Sequence, residues 1–220
     1  MAIQTELVQV SARAPEASAV QRAAAALKEG QPVVLPTDTV YGLCCNAFSQ
    51  AAVSALYEAK NRPHSLPLVI LIASVEDALN YAPEFPLLAR QAAARWWPGP
   101  LTIVLQRAPN VPGFLVAEKP TVGLRVPAHP VALAVIRACD FPVASTSANL
   151  SGQASPAAAW QAVQSLGGRA ALILDAGPCP VGRESTVVDF SKTPAVLVRE
   201  SAITLSELRA VLGASSIRYI

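Results

Sequence analysis

The 220-residue chain carries 17 basic and 15 acidic side chains, a formal charge of +2, too mild for nucleic-acid binding by bulk electrostatics. Its length suits one domain with a substantial core, or at most two small ones. Hydrophobic residues make up 52% of the chain, but much of this is alanine and no apolar run reaches the ~18 residues of a membrane helix. The N-terminus also lacks the basic-then-apolar order of a signal peptide, so a cytoplasmic protein without a membrane partner is expected. The four cysteines (Cys44, Cys45, Cys139 and Cys179) form no Cys-x-x-Cys pair. His64 and His129 have no metal-ligand spacing, so buried free thiols and no side-chain metal site are expected.

In chain order, residues 1–15 read as an extended arm or edge strand. Residues 18–29 read as an alanine-rich helix stopped by Gly30. A short apolar strand over 32–35 feeds the loop Pro36-Thr37-Asp38-Thr39-Val40-Tyr41-Gly42. Two hydroxyls, a carboxylate and a phenol gather there, either as a polar strand end or as part of a site. Residues 50–60 form an amphipathic pattern with Val53, Leu56 and Tyr57 on one face. It runs into Lys60-Asn61-Arg62-Pro63-His64. There Lys60 either complements the helix dipole or joins Arg62 in neutralising a triphosphate or carboxylate.

A strand is expected over 68–73, then a short helix capped by Ser74 and Asp77, then a helix over 85–97 ended by Pro98-Gly99-Pro100. Residues 101–106 and 121–126 read as strands. Alternation in the second puts Thr121, Gly123 and Arg125 on one face and Val122, Leu124 and Val126 on the other. A buried arginine needs a partner, which a bound carboxylate or a structural acid would supply. Residues 129–138 read as helix, and 142–144 as a short strand feeding Ser145-Thr146-Ser147-Ala148-Asn149. Small hydroxyls between a strand and a helix start suit an anion, although the same residues also make turns and caps. Ser155-Pro156 is the expected start of a helix running to 166. Strands follow over 171–175, 185–190 and 195–198, and Thr204 with Glu207 makes a capping box for the last helix. Strands and helices interleave, but some strands follow one another directly. That predicts an α/β fold with a mixed sheet rather than a purely parallel one. No P-loop, GxGxxG or nucleophile elbow occurs. Polar strand ends rich in Ser, Thr, Arg and Lys suit positioning and charge stabilisation of an anionic substrate such as a nucleotide.

Six segments carry a resemblance: Pro36-Thr37-Asp38-Thr39-Val40-Tyr41-Gly42-Leu43, Lys60-Asn61-Arg62-Pro63, Trp97-Pro98-Gly99-Pro100-Leu101-Thr102, Arg125-Val126-Pro127, Ser147-Ala148-Asn149-Leu150-Ser151-Gly152 and Glu184-Ser185-Thr186-Val187. In this order, over about residues 14–210, the chain resembles the YrdC-type threonylcarbamoyl-AMP synthases. The resemblance implies a twisted mixed sheet with packed helices around a large positive cavity. It implies one YrdC-like domain over 1–220, of the short bacterial type, with no additional C-terminal domain. The implied reaction converts L-threonine, bicarbonate and ATP to threonylcarbamoyl-AMP and pyrophosphate, for N6-threonylcarbamoyladenosine in tRNA. Mg²⁺ is expected with ATP, held largely by phosphates and water. Further implied partners are tRNA and the proteins that transfer the threonylcarbamoyl group.

Roles carried over by motif put Thr37, Arg125, Ser145 and Ser185 on threonine, with Arg125 at its carboxylate. Lys60, His64, Thr121, Ser147, Asn149, Ser155 and Arg199 fall on the ATP side, and Lys60 with Arg62 forms the catalytic cationic pair. Two rivals are a non-catalytic RNA-binding module of the same fold and a paralogue using carbamoyl-adenylate chemistry on another substrate. The Lys60/Arg62 pair favours catalysis, and the sequence lacks the aromatic-plus-basic pattern of a stacking platform. The family usually has Arg-x-Gly where this chain has Arg199-Glu200-Ser201, a departure that bears on the backbone turn there and on the placement of Arg199.

Overall fold

Successive side chains along a strand face opposite sides of a sheet, and here the two sides meet different surroundings. The computed structural model describes residues 4–219. Among these, the helices are α1 (Ala17–Lys28), α2 (Gln50–Lys60), α3 (Leu87–Trp96), α4 (Pro130–Ala138), α5 (Ala159–Leu166) and α6 (Leu205–Leu212). The strands are β1 (Glu6–Gln9), β2 (Val33–Leu35), β3 (Gly42–Asn46), β4 (Val69–Leu71), β5 (Leu101–Gln106), β6 (Thr121–Arg125), β7 (Val143–Ser147), β8 (Leu172–Asp175), β9 (Thr186–Asp189), β10 (Ala195–Arg199) and β11 (Ile217–Tyr219). They form one eleven-stranded sheet in the order β1-β8-β2-β3-β7-β4-β6-β5-β9-β10-β11. Half of the pairings are parallel and half antiparallel, which is the mixed sheet expected from consecutive strands. The arm expected at the N-terminus is β1, an edge strand parallel to β8.

One face of the sheet packs against α2, α3, α5 and α6 through Val53, Leu56, Ala92, Trp96, Ala162, Leu166, Leu208 and Leu212. The other packs against α1 and α4 through Leu27, Val131 and Val135, which meet Val33, Leu35, Cys44, Leu172 and Leu174. Fully burying each valine or leucine among them contributes roughly 1.5–3 kcal/mol. α1 and α4 cover only part of their face. One cross-sheet row runs Cys44, Ser145, Val69, Gly123, Val104, Asp189. Cys44 lies under the helices, whereas the other five line an open cavity. The uncovered part of this face is therefore the cavity floor.

Helix ends follow from local chemistry. Ser49 caps α2 by accepting from the Ala52 N–H. Asn61 ends it in the left-handed conformation (φ 51°), which asparagine tolerates better than most residues. His129 caps α4 through Nδ1, which accepts from the Val131 N–H at 3.3 Å. The Thr204/Glu207 box opens α6 as expected.

Two expectations are corrected and two strands are added. β7 reaches Ser147 rather than ending at 144, because Ser145 and Ser147 face the cavity and not the core. β3 fills residues to which the pattern assigned no element and is a buried strand. The C-terminal strand β11 was not expected from the pattern. α5 begins at Ala159, not at Ser155-Pro156. Ser155 turns its hydroxyl to Glu184 instead of the helix, and the Gln161 side-chain oxygen accepts from the N–H groups of Ala157 and Ala158.

Candidate active site

The cavity has a volume of about 650 Å³ and is lined from β3, β4, β5, β6, β7, β9 and β10 and from the segments after β2, α2, β5 and β8. Four basic side chains (Arg62, Lys119, Arg125, Arg199) and two acidic ones (Glu184, Asp189) border it. Its size lies within the ~300–1,000 Å³ usual for small-molecule sites. It has two ends of different character.

The first end is built on the loop between β2 and β3. Thr37 closes a tight turn: its hydroxyl donates to the Val40 carbonyl at 2.6 Å and accepts from the Thr39 N–H at 3.1 Å. This holds Thr37 and Thr39 toward the cavity and turns Asp38 behind them. Arg125 crosses from β6 to meet this loop. Its Nη2 donates to Asp38 Oδ1 at 2.6 Å, its Nη1 to Thr39 Oγ1 at 2.7 Å, and its Nε to the Gly99 carbonyl at 3.0 Å. Ala128 N–H donates to the same Asp38 oxygen at 2.9 Å, while Asp38 Oδ2 is buried without a partner. Burial pulls the Arg125 pKa below the ordinary arginine value and Asp38 raises it again; an arginine stays charged through such a change. Of the two partners open to Arg125 in the sequence, the structure has the acid, Asp38.

The segment Trp97-Pro98-Gly99-Pro100 supplies the carbonyl that holds Arg125. A side chain at Gly99 would meet the Trp96 carbonyl oxygen at 2.5 Å, so only glycine fits there. Opposite, Ser145 faces the cavity beside Gly42, where an added Cβ would lie 2.7 Å from Ser145 Oγ. Ser185 completes this end. Its hydroxyl lies 2.8 Å from Thr102 Oγ1 and accepts from Arg199 Nη2 at 3.3 Å.

The second end is looser. Arg62 leans along the cavity wall, donating to the Pro67 carbonyl at 3.0 Å. Glu184 bridges two rims: Ser155 Oγ donates to its Oε1 at 2.5 Å, and the Arg199 guanidinium pairs with its Oε2. Arg199 also donates to the Ser185 carbonyl at 3.0 Å. The turn behind it needs no glycine. Ser201 N–H donates to Thr186 Oγ1 at 3.1 Å, and Ser201 is not among the residues with positive φ.

Three assigned residues stand elsewhere. Lys60 is 1% exposed and is absent from the cavity wall. Its ammonium donates to the Ser147 carbonyl, to the Asn149 carbonyl at 2.6 Å and to Asn149 Oδ1 at 3.3 Å. Its own carbonyl accepts from Ser151 N–H at 2.9 Å. Lys60 thus rivets α2 to the loop after β7, and Asn149, which donates onward to Leu150 and Gln153, belongs to the rivet rather than to the wall. The left-handed Asn61 between them turns Arg62 to the cavity while Lys60 points inward. Burial first, then nearby Arg62, pushes the Lys60 pKa down to about 8. His64 is exposed and stacks on Tyr57 with ring centroids 4.4 Å apart, away from the wall. Tyr41 is also not a cavity group: its hydroxyl donates to the Gly177 carbonyl at 2.6 Å.

Thr37, Arg125, Ser145, Ser185, Thr121, Ser147, Arg62 and Arg199 do come together on one wall, and Ser155 joins them through Glu184. Sequence reasoning gave no role to Asp38, Thr39, Thr102, Lys119, Glu184 or Asp189. The available signal was position: Asp38 and Thr39 alternate in the first motif, and Glu184 precedes Ser185 in the last.

A mixed sheet whose uncovered part floors a hydroxyl- and arginine-lined cavity defines an α/β domain with a net-positive polar cleft. The Sua5_yciO_yrdC family model, described as "Telomere recombination", matches residues 25–201, and the chain belongs to this family. It is 42% identical over 194 residues to "Threonylcarbamoyl-AMP synthase" of Pyrococcus abyssi, covering 88% of this chain and 57% of that protein. The chain is 39% identical over 191 residues to "Putative threonylcarbamoyl-AMP synthase" of Mycobacterium tuberculosis H37Rv, covering 87% of this chain and 88% of that protein. A solved structure of P. abyssi Sua5 complexed with L-threonine superposes with a TM-score of 0.92 at 39% identity, over 97% of this chain and 62% of that chain. The present chain therefore spans little more than half of the archaeal relative.

Proposed function

We propose that this domain makes threonylcarbamoyl-AMP from L-threonine, bicarbonate and ATP, releasing pyrophosphate. The observation that carries the reading is the pairing, in one cavity, of a locked arginine with hydroxyls at one end and a looser set of arginines with a half-exposed counter-ion at the other. Support comes from the names of the 39–42% identical relatives and from the threonine complex of a superposable structure.

Chemically, the locked end suits an amino acid. Three of the five N–H groups of Arg125 are engaged, which leaves two for a carboxylate. Thr37, Ser145 and Ser185 offer hydroxyls to the rest of the molecule. The amine condenses with bicarbonate, losing water, to give a carbamate. A carbamate oxygen then attacks the α-phosphorus of ATP and pyrophosphate leaves. Arg62, Arg199 and Lys119 meet the charge on the phosphates, Thr121, Ser147 and Ser155 orient them, and Lys60 with Asn149 holds the loop that presents Ser147. His64 is too exposed for more than a rim contact. Mg²⁺ enters with ATP. Glu184 is already bonded to Ser155 and Arg199, and Asp189 Oδ1 to Ser191, so phosphate oxygens and water carry the ion. The product is the donor for tRNA N6-threonylcarbamoyladenosine through separate transfer proteins, a cytoplasmic role.

The test is pyrophosphate release with ATP, Mg²⁺ and bicarbonate, each amino acid added in turn. L-threonine should stimulate release well above every other amino acid. Equal release without any amino acid would refute the reading.

A further inference from the structure

Glu184 is the one carboxylate in the cavity that is surrounded by the groups assigned to the polyphosphate. Ser155 donates to one of its oxygens at 2.5 Å and Arg199 pairs with the other. Burial lowers the pKa of both Lys60 and Arg62, and the Glu184 charge opposes part of that shift, so it lies within electrostatic reach of both. The pair is only half-buried, with side-chain exposures of 42% for Arg199 and 33% for Glu184. It is thus in contact with solvent and free to open, unlike Arg125 and Asp38 at 8% and 7%. Three backbone elements converge on this one carboxylate: the loop before α5, the segment before β9 and the end of β10. Nothing in the fold requires a carboxylate here, since Arg199 keeps two further bonds to Ser185.

We propose that Glu184 is an internal anion that competes with a polyphosphate for Ser155 and Arg199 and must be displaced when a polyphosphate binds. It holds Arg199 and Ser155 in place between turnovers, so the site does not rebuild from disorder each time. It also competes with whatever polyphosphate is bound. A nucleoside triphosphate, carrying charge enough to recruit Arg62, Arg199 and Ser155 at once, displaces it. Inorganic phosphate, which engages fewer of them, does so poorly. After the reaction Glu184 returns to Arg199 and helps expel pyrophosphate. Glu184 is therefore a specificity and release residue, and this role rests on the nucleotide reading of the cavity.

The probe is inorganic pyrophosphate without metal, followed by calorimetry on the purified chain, with Glu184→Gln as the variant. Glutamine keeps an acceptor for Ser155 and Arg199 but removes the charge. The variant should bind pyrophosphate about fivefold tighter than the wild type, the scale of a half-exposed ion pair. Inorganic phosphate should gain proportionally more, and pyrophosphate should become a stronger inhibitor of turnover. Thermal melting of the variant, read alongside, reports that the fold is kept. Equal or weaker pyrophosphate binding by a folded variant overturns the proposal while leaving the nucleotide site standing. Weaker Mg·ATP binding with unchanged pyrophosphate binding also overturns it, assigning Glu184 to the metal instead. Failure of both proteins to bind pyrophosphate or ATP refutes the nucleotide reading and this proposal with it.

Discussion

The two ends of the cavity use the same residue pair, arginine with a carboxylate, in opposite ways. Arg125–Asp38 is buried beside Thr37 and Thr39, with only Arg125 reaching the cavity wall, and each side chain has further partners. Arg199–Glu184 is half-open to solvent and bridges two rims. Sealing an ion pair costs desolvation that the attraction barely repays, so the first pair is understood as a means of fixing geometry. An exposed pair contributes little to stability and can open at small cost. The difference teaches that the cavity is fixed at one end and yielding at the other, which under the proposed function gives shape to a small zwitterion and room to a large polyanion.

The largest effect should come from breaking the sealed pair. Arg125→Ala leaves Asp38 buried with no cation, and we expect a loss of about 3–5 kcal/mol of unfolding free energy, measured by denaturant titration, together with loss of threonine-dependent turnover. Unchanged stability would mean that the pair is not sealed and would erase the contrast between the ends.

Next comes the rivet beneath the open end. Lys60→Met leaves two carbonyl oxygens and the Asn149 side chain without their donor. That should cost about 2 kcal/mol and misplace Ser147, lowering turnover on the order of 100-fold. The pH dependence has a definite sign. The folded Lys60 pKa is about 8 against an ordinary value of 10.5. Between those values the unfolded chain binds the additional proton, so stability rises with pH in that window. The unfolding free energy of the wild type relative to Lys60→Met should therefore shift in favour of the wild type between pH 8 and 10.5, as read by urea titrations at several pH values. No shift would place the lysine in a solvated position, and a shift of the opposite sign would mean that the fold stabilises its charge.

The smallest effect is expected at the rim. Ser201→Gly restores the residue usual in the family, but the turn has no positive φ to relieve. Stability should fall by about 0.5 kcal/mol through the freer unfolded chain, with turnover within about twofold. A gain in either property would show a strained turn behind Arg199.

Much of the frame was legible in the sequence. α2 and β5 occupy the expected residues, because a strong apolar period and clear end signals act locally. Alternation along β6 correctly put Thr121, Gly123 and Arg125 on the cavity side. What was not legible depends on partners distant in sequence. Ser155-Pro156 has the local chemistry of a helix start, yet Glu184, 29 residues on, takes the hydroxyl. Lys60 reads as a surface or site cation, and only the approach of the loop after β7 buries it. Asp38 was an available but unforced partner for Arg125, 87 residues away. β3 carries a glycine, two cysteines and an asparagine, without the β-branched residues that announce a strand, and its neighbours β2 and β7 impose its conformation.

The most direct test of the account is mass spectrometry of the adenylate formed from ATP, L-threonine and ¹³C-bicarbonate by the purified chain. The account predicts threonylcarbamoyl-AMP with one labelled carbon, reduced by Arg125→Ala. An unlabelled adenylate, or AMP and pyrophosphate with no adduct trapped, would contradict it.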